Sequence, residues 1–228
     1  MRGTPAVTTP SLLRRADALL RDLPEPDAIG ASASWRSRLA IVATFGALYG
    51  ATMGCHGGRP LQATYSAVKL PLMLAASFAI SLPPFFVVNT LFGLRDDFRR
   101  AVGALATAQA GLAVVLATLA PLTAFAYACG LEHRRAILLN GLTFAVASLG
   151  AQAILGRSYR ALIAADPSHR TMLRAWLGVY VFVGIQMAWA LRPFIGAPGL
   201  PTQFFREDGW TNAYVAVWNT IAAVFAGS

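Results

Sequence analysis

About six apolar segments run through the chain from Leu39 to its last residues, and not one Asp or Glu lies inside any of them. A helix needs about 20 apolar residues to cross the hydrocarbon core of a bilayer. Backbone amides in lipid must be bonded within their own segment or to packed neighbours, and these runs are too long and continuous for barrel strands. The pattern predicts an all-α fold, a polytopic transmembrane helix bundle. Charges and turn residues place the spans near 39–55, 70–94, 101–129, 137–155, 172–191 and 210–226, the last short enough to cross or to lie in the interface. Residues 1–37 then form an N-terminal segment and residues 38–228 the membrane domain. A composition with 56% hydrophobic and 13% charged residues and a mean hydropathy of +0.55 lies outside the range of soluble domains. No Arg-rich leader with a small-residue cleavage site is visible, so the first span is expected to act as its own insertion signal.

Orientation follows from the cations, which accumulate on cytoplasmic flanks. With the N-terminus inside, thirteen of the nineteen Lys and Arg residues fall on that side, and Arg59, Lys69, Arg134, Arg135, Arg192 and Arg206 on the other. This predicts a bacterial inner membrane protein with a cytoplasmic N-terminus. The net charge of +9 becomes a topology signal plus affinity for anionic headgroups. No basic run is interleaved with stacking aromatics, which argues against a nucleic-acid partner.

Leu12, Leu13, Ala16, Leu19 and Leu20 share one helical face opposite Arg14, Arg15, Asp17 and Arg21. This amphipathic helix is expected to end before Pro24 and Pro26, and either to lie in the membrane interface or to dock a partner.

Within the spans, small residues carry the packing information. Gly46, Gly50 and Gly54 recur every fourth position, giving one helix face that another helix approaches closely. That face serves packing inside the bundle or a homo-oligomer interface. Ala104, Ala108 and Gly111, then Ala113 and Ala117, repeat the device in the third span. The polar residues are neutral: Asn89, Gln109, Asn140, Gln152 and Gln186, with Asn212 and Asn219 in the last segment. They either bond helix to helix or line a polar path. Conducting pathways usually add a carboxylate or a cation, and neither is expected within the membrane. Pro83 and Pro84 in the second span predict a kink or a short unwound stretch.

Cys55 ends the first span and Cys129 the third, with His56 and His133 nearby. On one face of the membrane these residues are two ordinary thiols and two loop histidines, a disulfide or a metal site. From Arg192 to Trp210, Pro193, Gly196, Pro198, Gly199 and Pro201 alternate with Phe194, Phe204 and Phe205, and Arg206 opens a charged tip. Such turn chemistry predicts a shaped interfacial loop, or one that receives a partner.

Motifs for catalysis are missing. There is no nucleophile elbow, no paired histidines around a Glu, no acidic cluster for magnesium and no phosphate-cradling loop, so no enzyme, cofactor or metal centre is expected. Lys69 and Pro71 leading into apolar residues with a central Pro83, followed by compact small-residue helices, resemble the Yip1-type multi-pass membrane proteins. The resemblance covers the second to fifth spans, leaves out the loop from Arg192 and assigns no residue a role. Two functions fit these features. One is a non-enzymatic scaffold or accessory subunit that associates with other membrane subunits or with further copies of itself. The other is a small oligomeric channel or facilitator with an Asn- and Gln-lined path.

Overall fold

The computed structural model describes residues 11–21, 30–205 and position 215. Among them are six α-helices and no strand: α1 (Leu12–Arg21), α2 (Gly30–Gly54), α3 (Pro60–Leu91), α4 (Phe98–Ala128), α5 (His133–Ala165) and α6 (Ser168–Ala190), with a 3₁₀ turn at Arg95–Asp97. Four of them, α3 to α6, are long and apolar enough to cross a membrane. The first expected span lies within α2, whose opening turns are polar. The span near 210–226 lies outside the described residues, so the count of six rests on sequence alone.

Element boundaries differ from the sequence expectation in two informative places. The second span was expected from Leu70, yet α3 begins ten residues earlier. Pro60 occupies its first turn, where a missing amide proton costs nothing, and Gln62, Ser66 and Lys69 continue the helix along one buried face. Of the two expectations at Pro83 and Pro84, a kink or a short unwound stretch, the unwound stretch is absent, because α3 is helical through both. Both prolines lie on its exposed face, where neither ring displaces a packed neighbour. In the same way α5 extends past Leu155, carrying Arg157 and Arg160 on its final exposed turns.

Glycine ends two of the long helices. Gly93 after α3 (φ 74°) and Gly130 after α4 (φ 78°) adopt the left-handed conformation that side chains disfavour. The following amides turn back onto helix carbonyls, Leu94 onto Asn89 at 3.0 Å and Leu131 onto Ala126 at 3.3 Å. Asn89 reinforces the first stop by donating its side-chain Nδ2 to the Leu94 carbonyl at 2.8 Å.

Helices α2 to α6 form an incomplete ring in the order α6, α3, α2, α4, α5. Neighbours in that order pack extensively, whereas α5 and α6 barely touch. The seam between α2 and α3 is the closest. Cβ atoms at Gly50 and Gly54 would strike α3, the first against the Ser66 carbonyl and the second 2.6 Å from the Ala63 Cα and the Gln62 carbonyl oxygen. Gly46 is easier, its nearest neighbour Pro71 lying 3.4 Å away. The glycine face therefore packs inside the chain. Towards the end of the bundle that carries the Arg95–Asp97 turn, aromatic contacts run Trp35–Phe78–Trp176–Phe85–Phe98, joining α2, α3, α6 and α4.

The N-terminal helix is part of this assembly. Ala16 and Ala18 are buried, Leu19 and Leu20 pack on the core, and Arg157 of α5 donates to the Leu20 carbonyl at 3.1 Å. Its apolar face is thus covered by the protein from Ala16 onward, while Leu13 remains 71% exposed.

Candidate functional site

The chain's most unusual polar cluster lies where the segment after α6 folds back over α3. Gln62, Ser66 and Lys69 stand at helical spacing on one face of α3 and are fully buried. Lys69 Nζ donates to the Pro193 carbonyl at 2.9 Å, and Gln62 Nε2 donates to the same oxygen at 2.9 Å. The Phe194 carbonyl accepts from Gln62 at 3.1 Å and from Ser66 Oγ at 2.5 Å. Arg59 adds a bond to the Leu200 carbonyl at 3.1 Å. Above the ammonium lies the Phe204 ring, 4.8 Å from Nζ to its centroid, a cation–π arrangement. Among the described residues no carboxylate pairs with Lys69.

This corrects the expectation that no cation is buried in the membrane region. Lys69 lies about 13 Å along a helix of about 48 Å, which places it near the hydrocarbon border when α3 spans symmetrically. Carbonyl dipoles and an aromatic face replace water around it. The sequence signal was there, since positions 62, 66 and 69 share a helical face, but their polarity lowered the local hydropathy and read as loop.

The loop is accordingly turned inward. Arg192 lies over the Trp189 ring at 3.4 Å, Phe194 packs on the core, and Phe204 packs on Tyr65 at 5.2 Å. Phe205 keeps an exposed ring, at 47%. Arg206 and Trp210 lie outside the described residues.

A second cluster ties α2, α4 and α5 together near the same end. Tyr49 donates to Asn140 Oδ1 at 2.9 Å and shares a hydrogen bond with the Thr143 hydroxyl. Asn140 Nδ2 donates to the Tyr127 hydroxyl at 2.6 Å and to the Ala136 carbonyl at 2.7 Å. Next to it His56 Nε2 meets the Leu131 carbonyl at 2.9 Å, and its ring packs edge-on against Tyr127 at 4.9 Å. Cys55 and Cys129 are exposed free thiols beside these residues. His56 and His133 stand 5.6 Å apart, ring to ring, and no group of three or more His, Cys, Asp or Glu donors is present among the described residues.

The remaining amides lie apart from that cluster. Gln109 Nε2 donates to the Leu74 carbonyl at 3.0 Å and its Oε1 accepts from Tyr180 at 2.6 Å, so one side chain joins α3, α4 and α6. Asn89 serves the end of α3, Gln186 is half-buried on α6, and Gln152 is exposed on α5 beside Gln109's space. Of the five expected path residues, Gln109 and Gln152 border one space between the described helices.

At the opposite end, His169 is fully buried and its Nε2 lies 3.3 Å from Asp97 Oδ2, fastening the Arg95–Asp97 turn to the start of α6. Asp166 accepts the Ser168 amide at 2.8 Å, and this backbone hydrogen bond holds its carboxyl below the usual range. Asp97 also pairs locally with Arg100 at 3.3 Å, the charge pairing its Arg-rich turn predicts, whereas its partner across the fold was not legible from sequence, because the pairing of positions 97 and 169 has no local signature.

The ring encloses an apolar space of about 340 Å³ that all five helices border, with Phe194 of the folded-back loop at one end. A smaller space of about 100 Å³ adjoins it through Leu112, Ser148, Tyr180 and Val181. Comparison with family models, with curated proteins and with solved structures found no match.

Proposed function

We propose that this chain is a non-enzymatic integral membrane protein acting as a scaffold or accessory subunit of a membrane assembly. The observation that carries this reading is the use of its polar groups. Gln109, Asn140 and Asn89 are engaged in separate bonds to neighbouring helices or to their own helix end, and the space between the helices is bordered by apolar side chains. Such bonds fix helices to each other at about 0.5 to 2 kcal/mol apiece, and among the described residues no charged side chain borders the space between them. The four helices long enough to cross a membrane fit this setting. In this proposal the membrane is the bacterial inner membrane, the N-terminus is cytoplasmic beside anionic headgroups, and the partners are other membrane subunits or further copies of the chain.

The test is reconstitution of the purified protein into liposomes, with water and glycerol flux measured by light scattering. The expected result is flux equal to that of empty vesicles, together with a stoichiometric membrane partner or a defined oligomer on gentle extraction. Robust, selective flux abolished by Gln109→Leu would overturn the scaffold reading in favour of a facilitator.

A further inference from the structure

We propose that the interior of the helix ring binds an uncharged lipid that carries one hydroxyl or carbonyl group on an apolar body. Three observations converge on this chemistry.

The space has the size and placement of a ligand site. Its main part, about 340 Å³, falls within the range of small-molecule pockets of about 300 to 1,000 Å³. With the adjoining space it follows α6 from Trp176 to Ala188, about 18 Å at the helical rise. The gap in the ring lies between α5 and α6, so access is sideways, from the bilayer itself.

Its lining also selects. No Lys, Arg, Asp, Glu or His borders either part among the described residues. A charged group entering here would lose its hydration with nothing in return, which excludes ionised headgroups and free fatty acid anions.

One polar group, finally, is left to be answered. The side chains with polar atoms around the main space are Ser77, Ser148 and Tyr180. Tyr180 bonds Gln109, but Ser77 Oγ is buried, with the residue 2% exposed, and has no hydrogen-bond partner. An unanswered buried hydroxyl costs about 1 to 3 kcal/mol, so an occupant with a hydroxyl or carbonyl, which the Ser77 side chain turns to meet, is favoured over a plain hydrocarbon tail. Ser77 stands near the middle of α3, which puts that group deep in the membrane and the apolar body along Leu70, Met73 and α6.

Gly184 gives the test its leverage. It borders the space, and a Cβ there would meet nothing within 4 Å, so a larger side chain fills the site without disturbing packing. Gly178, on the same helix, is equally open but does not border it. The probe is a diazirine-bearing sixteen-carbon fatty alcohol in phosphatidylcholine vesicles holding the full-length protein, with crosslinked peptides read by mass spectrometry. Labelling is expected on the α3 and α6 walls, and unlabelled alcohol should compete better than the alkane of equal length. Gly184→Leu should reduce labelling of the α3 wall by about tenfold, equivalent to about 1.4 kcal/mol, while Gly178→Leu leaves it unchanged. Ser77→Ala should weaken the alcohol by about threefold to tenfold, the worth of one neutral hydrogen bond, and spare a hydrocarbon probe. Thermal unfolding reports whether each variant folds, and Val181→Phe replaces Gly184→Leu if that variant does not. Labelling confined to outward residues such as Leu149 and Phe182, equal competition by the alkane, or like behaviour of the two glycine variants would overturn the proposal. So would an unlabelled interior filled by the chain's own residues 210–226.

Discussion

Where α2 crosses α3, a glycine meets a neighbouring carbonyl with no room for one carbon more; on α6, Cβ atoms at Gly178 and Gly184 would meet nothing within 4 Å. The contrast extends to whole helices. Of the apolar stretch in α4, 61% is buried within the protein, against 22% for α5 and 11% for α6. Glycine by itself therefore does not make a close approach. At the α2–α3 seam the partner surface is also small, with Ala63, Ser66 and Ala67 facing the glycines, and two backbones come together. On the α5–α6 side, exposed Leu149 and Phe182 present large side chains instead, and no such small surface faces the glycines of α6. In lipid, where apolar area gives little drive for helices to associate, that difference in relief decides which pairs close.

The sharpest way to break this contrast is at the strap over α3. Lys69→Glu would set a carboxylate against the Pro193 carbonyl oxygen and the face of Phe204, and the expected loss is about 3 to 5 kcal/mol, the range for an uncompensated buried charge. Thermal unfolding in detergent measures it, and a variant as stable as the parent would show that the strap does not hold the packed side. Next comes the seam. Gly50→Ala should cost about 1 to 3 kcal/mol through overpacking against backbone, and Gly46→Ala, with its neighbour at ordinary contact distance, clearly less. Equal effects at the two positions would erase the distinction between tight and loose contact along the same face.

The smallest effect belongs to the open side, whose two helices are joined by the corner at Asp166. Its carboxyl is depressed in the folded state, chiefly by the Ser168 amide, so its contribution is fully present above the ordinary carboxylate range. That contribution fades as pH falls below about 4, through the folded value. The residue is solvent-exposed, and the change is correspondingly slight. Asp166→Asn should flatten the acid dependence of amide exchange at Ser168 while leaving α2 and α3 untouched. An acid response that appears equally at the α2–α3 seam would mean that the two sides do not loosen separately.

Much of this architecture was legible in the chain, for physical reasons that differ by region. Long apolar runs announce spanning helices because lipid leaves the backbone no other economy, and the four-residue glycine rhythm announces a close helix contact. The partner of that contact was not legible, because Ala63, Ser66 and Ala67 become a surface only once α3 is known to start at Pro60. Hydropathy hid that start, since Gln62, Ser66 and Lys69 are polar yet buried, answered by carbonyls 124 to 132 positions away. The amides were recognisable as interhelical bonding groups, but which helices they join depends on the ring order. The interior space follows from a gap between helices, and a gap leaves no mark on either sequence.

The strap after α6 is sewn to α3 through the main-chain oxygens of residues 193, 194 and 200, with the donor side chains all belonging to Arg59, Gln62, Ser66 and Lys69. Every residue carries a main-chain oxygen, so the stitching does not read the strap's composition at those positions. It reads only the path of the chain. Positions 193, 194 and 200 thus keep their hydrogen bonds through any exchange that keeps the course, whereas the first three turns of α3, and the rings of Phe194 on the core and Phe204 over Lys69, are read side chain by side chain.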